Sequence, residues 1–152
     1  MPLQSKSKLY ETVVIGILLH GSESWTLTKK LKGRLSCFHN TCVRRMCRVN
    51  RWHTRHFRIS QADLEKRMGL FSIEEKVRRQ QLRWAGHVAR MDESRLPRRL
   101  ISGWVVNPRG RGRPQQCYGH SLAAHLKDAG IDKDNWLQAA QDRKAWRHAI
   151  VR

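Results

Sequence analysis

Residues 72–91 read SIEEKVRRQQLRWAGHVARM, and their spacing is helical. Ser72 followed by Glu75 makes a capping pattern, and Ile73, Val77, Trp84, Val88 and Met91 form an apolar stripe. Arg78, Arg79, Arg83 and Arg90 fall on the remaining surface. Working outward, ISQADLEKRMGL (59–70) repeats the signal, with Ser60 before Asp63 and a stop at Gly69. A longer helix is predicted from Thr28 to Val49, with Leu31, Leu35, Phe38, Cys42, Met46 and Val49 along one face. On the other side, Pro97 breaks the pattern and LISGWVV (100–106) is expected to be a short extended piece. NPRGRGRPQQCYG (107–119) is a basic Gly/Pro-rich linker. The chain then resumes with two helices broken at Gly130, marked by Leu122 and Leu126 and by Trp136, Ala139, Trp146 and Ile150. The expected fold is mainly α. A small helical bundle (1–92) is followed by an extended piece and linker (93–118) and a C-terminal helical hairpin (119–152).

The segment LYETVVIGILLHGSESWTLT (9–28) stands apart. Leu9, Tyr10, Val13, Val14, Ile17 and Leu18 make a wide apolar stripe, and Ile15 and Leu19 leave the opposite face little more polar. It is too short to span a bilayer, which takes about 20 apolar residues. No small-residue cleavage site follows it, so it does not read as a signal peptide. It reads as an interior element of a larger fold.

Charge narrows the partners. Lys and Arg number 31 against 12 Asp and Glu, a formal charge of +19. Such a chain repels itself unless a polyanion is present, so nucleic acid is the leading partner. An acidic membrane surface would call for one long basic amphipathic helix, whereas here the charge is spread over several segments. Between Glu23 and Asp63 there is no acidic residue. A solvated helix face usually alternates signs, and a face of one sign suits phosphate. Arg44, Arg45, Arg48, Arg51, Arg78, Arg79 and Arg83 are the expected phosphate contacts. Arg109, Arg111 and Arg113 are expected to form a mobile arm able to enter a minor groove. RGRP (111–114) within that arm resembles the core of an AT-hook. Trp52 is read either as a core residue or as a base-stacking platform.

Catalysis and metal binding find little support. Cys37, Cys42 and Cys47 recur at intervals of five, which sets successive thiols about 140° apart on a helix. Adding His53 and His56 allows a zinc site to be drawn, but the usual thiolate pair two to four residues apart is missing. The cysteines therefore read as reduced thiols of an intracellular chain, cytoplasmic or nuclear, with Cys42 in the core. Glu74–Glu75 belong to a helix start and Asp92–Glu93 to a helix end, so no carboxylate cluster for two metal ions emerges. No Gly-rich phosphate loop is present. The expectation is no enzyme activity, no metal and no cofactor.

ILLHGSESWTLT (17–28) resembles the passage that follows the catalytic palm in reverse transcriptases of non-LTR, LINE-type retrotransposons. FHNTCVRRMCRV, RWHTRHFRIS, RRQQLRWAGHVARM, RLPRRLISGWV and NWLQAAQDRKAWRHAI follow in the order such elements have them. The resemblance spans nearly the whole chain. It implies a thumb-like helical region followed by the element's C-terminal tail, gripping template–primer or target backbone. It also implies that VVIGILL packs against an upstream polymerase core. The family's catalytic Y-x-D-D is absent here, and its cysteine–histidine knuckle, with thiols two apart, is not matched. Two rival readings remain: an inert translated pseudogene fragment, and a stand-alone DNA-binding protein with 72–91 as its recognition helix.

Overall fold

The structure, a computed structural model, describes residues 1–106 and 117–151. Among them it is mainly helical and contains no strand. Contacts divide the chain into two compact units. The first is Met1–His20 with Leu27–Lys76, and the second is Gly21–Thr26 with Val77–Arg152.

The first unit begins with α1 (Leu3–Leu9), which runs through a π-helical stretch, Tyr10–Ile15, into α2 (Gly16–Leu18). The π geometry changes which residues face inward. Tyr10 and Ile15, five apart, are buried together with Leu19, while Leu9, Val13, Val14 and Ile17 are exposed. A stripe counted at 3.6 residues per turn includes Tyr10 but otherwise favours the outward side, because i→i+5 bonding shifts the register. This corrects the expected stripe.

α3 (Lys29–Met46) starts at Thr28, whose hydroxyl accepts a bond from the Leu31 amide at 3.3 Å. Its buried residues are His39 and Val43, whereas the expected Leu31 and Phe38 are each 43% exposed. Polar bonding explains the rotation. The neutral phenol of Tyr10, its pKa pushed up by burial, shares a hydrogen bond with Nδ1 of His39 at 2.9 Å. Histidine thus takes a core position that a hydrophobicity count does not award. α4 (Arg51–His56) and α5 (Gln61–Met68) follow, each opened by a capping box, at Asn50/His53 and Ser60/Asp63. α5 ends at Gly69, φ 65°, in the left-handed region that glycine enters without cost. Ser7 Oγ donates to the Met68 carbonyl at 2.7 Å, and Lys76 pairs with Glu11.

α6 (Ile73–Ala89) gives its first turn to the first unit and the rest to the second. The second unit adds α7 (Leu96–Val106), α8 (Tyr118–Asp128), α9 (Trp136–Ala139) and α10 (Arg143–Val151). Its core joins Leu82, Ala85 and Val88 to Ile101, Leu122, Leu126, Trp136, Trp146 and Ile150. Trp84 is half-buried against this core, edge-on to Tyr118 at 5.8 Å. Gln81, 1% exposed, donates through Nε2 to the carbonyls of Ser22 (3.2 Å) and Trp25 (2.9 Å).

Two further expectations are corrected here. LISGWVV is helical, as part of α7. Pro97 is the second residue of that helix, where the missing N–H has no intrahelical acceptor to lose. The last helix is two, α9 and α10, because Asp142 caps a new start by accepting from the amides of Lys144 (2.8 Å) and Ala145 (3.0 Å).

Candidate nucleic-acid interface

In the first unit, the basic run leads from the end of α3 into α4. Arg44 is half-buried and bonds Thr41 Oγ1 at 3.4 Å, while Arg45, Arg48 and Arg51 are exposed. Arg48 turns the chain at φ 56°, and the Val49 amide donates back to the Arg44 carbonyl at 2.9 Å. The Asn50 side chain then accepts from the His53 amide at 2.8 Å and starts α4.

The short α4 presents Trp52 at its surface. Trp52 and Phe57 are each 60% exposed, which resolves the two readings of Trp52 against a core role. The indole stacks on His56 (4.7 Å between centroids, 9° between planes) and meets Phe57 edge-on at 6.1 Å. Arg55 and Arg58 are exposed beside them, Arg58 with φ 50°. Aromatic faces held at a surface and ringed by guanidinium groups can stack bases while neutralising phosphates.

The arginines of α6 divide. Arg78, expected on the surface, is 8% exposed and donates to the Ile150 carbonyl at 3.3 Å. Arg79, half-buried, donates to the Val151 carbonyl at 3.1 Å. Both therefore satisfy carbonyls at the end of α10, which have no intrahelical donors. Arg83 is exposed. It lines a groove of about 510 Å³ with His87, Arg90, Arg143 and Arg147, floored by Trp146 and Ile150. Arg109, Arg111 and Arg113 lie outside the described residues.

Sequence reasoning passed over Phe57, Arg143 and Arg147. An aromatic at the end of the polar run WHTRHF was one available signal. The i, i+4 pairing of Arg143 with Arg147 was the other.

Several carboxylates are held in local turns. Hydrogen bonds from Ser60 and Ser94 hold Asp63 and Asp92 below the usual carboxylate range, and Asp132 accepts from the Asp134 amide at 3.2 Å. Among the described residues no three His, Cys, Asp or Glu side chains converge as metal ligands, and no helix is long and apolar enough to cross a membrane. Burial pushes the Cys47 thiol up.

The chain is 28% identical over 148 residues to a protein of Caenorhabditis elegans named as transposon-derived. The aligned region takes in 95% of this chain and 53% of the relative, so the chain spans about half that relative's length. This chain is similar to a transposon-derived protein. The likeness is consistent with origin in a transposable element. No protein-family model and no solved structure matches it.

Proposed function

We propose that this chain is the nucleic-acid-binding C-terminal region of a LINE-type reverse transcriptase, without catalytic activity of its own. The observation that carries the reading is the exposed Trp52–His56–Phe57 cluster inside a stretch that has no acidic residue between Glu23 and Asp63. The surface offers stacking and charge together, the two terms that bind a strand with little regard to sequence. The transposon-derived relative supports an origin in a transposable element, and the ordered passages quoted above carry the resemblance to the LINE type. The exposed face of Leu9, Val13, Val14 and Ile17 fits an element that a polymerase core covers in the longer protein.

Titration of labelled strands and duplexes at several salt concentrations tests the proposal. If about six phosphates are neutralised, log K falls against log salt with a slope of roughly −5 on duplex. Trp52→Ala should weaken single-strand binding by about 1–3 kcal/mol while leaving melting unchanged, since the indole is 60% exposed. A flat salt response would overturn the proposal and favour an inert product.

A further inference from the structure

The groove in the second unit is built from two rows of basic residues. Along α6 and the residue that follows it, Arg83, His87 and Arg90 recur at intervals of four and three. On α10, Arg143 and Arg147 are four apart. One close contact brings the rows together. The Trp146 indole lies against α6 at Gly86, where a Cβ would stand 2.7 Å from Cδ1 and 2.8 Å from Cε2. Only glycine leaves room, and the indole Nε1 donates to the Leu82 carbonyl at 3.0 Å. Arg90 is fixed in turn, its Nη1 donating to the Ala140 carbonyl at 2.7 Å.

The electrostatics of this arrangement are unbalanced. Arg83, His87, Arg90, Arg143 and Arg147 line the groove, and the other lining residues, Trp146, Ile150 and Val151, carry no acid. Among the described residues the four arginines have no carboxylate partner. Burial lowers the pKa of Arg90 first, and the neighbouring Arg143 and Arg147 lower it further. Trp146 and Ile150 are 3% and 2% exposed, so the floor is apolar and concentrates the field of the walls. An anion in the groove would relieve the repulsion that the packing imposes.

We propose that this groove is a backbone clamp, holding consecutive phosphates of a nucleic-acid strand. The identity of the ligand rests on the nucleic-acid reading above. The shape argues for a run of phosphates rather than one ion, because Arg83 on α6 and Arg90 just past its end are about 10 Å apart along the axis at roughly 1.5 Å per residue. The site offers no exposed tryptophan or phenylalanine, unlike α4, so it suits backbone rather than base stacking.

The test uses the full chain with Arg143→Gln/Arg147→Gln, both residues being exposed. The control is Lys133→Gln/Lys144→Gln, which removes equal charge from exposed positions of the same unit that do not line the groove. With a labelled duplex, the arginine pair should make the salt slope shallower by about 1.5–2, at roughly 0.9 per phosphate. The lysine pair should change it little. Equal shifts from both pairs would show a net-charge effect and overturn the clamp. An unchanged slope in the arginine pair, with Trp52→Ala still weakening single-strand binding, would overturn the clamp and leave the nucleic-acid reading standing. Absence of salt-dependent binding in the unmodified chain would overturn both. If the arginine pair melts early, Arg83→Gln on the opposite wall carries the same test, with a loss of about 0.9 expected.

Discussion

His39 is a polar residue at 0% exposure, and its ring is balanced between opposing influences. Burial lowers its pKa most; Glu65, with Oε1 3.5 Å from Nε2, raises it, Lys76 lowers it, and Glu74 and Glu11 raise it. The net shift is downward, so the folded chain holds the neutral ring. In the unfolded chain the ring titrates near its ordinary value of about 6.5. Below that pH the unfolded state binds more protons, and stability falls as pH drops from there towards the folded value. Thermal melting from neutral to mildly acid pH should therefore fall more steeply in the unmodified chain than in His39→Gln, which cannot titrate. Parallel profiles would mean that His39 is not the group responsible. A buried histidine of this kind is hard to read from sequence, because its place depends on the Tyr10 phenol 29 residues away.

At the scale of elements, the first helical run offers a direct contrast between two aliphatic neighbours. Leu19 is 1% exposed and Ile17 is 74% exposed. Leu19→Ala should cost about 2–5 kcal/mol, as core truncations do. Ile17→Ala should stay within roughly 0.5 kcal/mol. Urea denaturation of the two variants checks this, and equal losses would mean that the π-helical register is wrong. The same contrast shows what was legible in the sequence. Capping at Ser60/Asp63 and the stops at Gly69 and Gly130, φ 65° and 70°, are written in adjacent residues and were read correctly. The rotation of α3 and the inward face of the first run were not, because distant partners decide them. Pro97 misled for a different reason: a helix breaker in the interior is harmless in a first turn. At the candidate interface, the basic run was legible, but whether Trp52 faced inward or outward was not. The α6–α10 groove needed two helices, far apart in sequence, to meet.

For the whole molecule, a formal charge of +19 sets two salt dependences of opposite sign. Raising salt from about 0.01 M to 1 M shortens the Debye length from about 30 Å to 3 Å. Self-repulsion of the folded chain is then screened, so melting temperature should rise in the absence of nucleic acid. Over the same range, affinity for nucleic acid should fall through counterion binding. Melting scans in a salt series check the first sign, and a falling melting temperature would show that attractive pairs outweigh the repulsion. One further property belongs to the chain as a whole. Gly21–Thr26 is flanked on both sides by residues of the first unit, yet it belongs to the second. Its carbonyls hold the Gln81 amide, and Ser22, 0% exposed, bonds Gln80. A chain beginning after Thr26 would keep α6 to α10 but lose both carbonyls that accept from the Gln81 amide. The two units are thus interleaved along the sequence: removing residues 1–26 takes away part of both, and neither unit is a single contiguous stretch of chain.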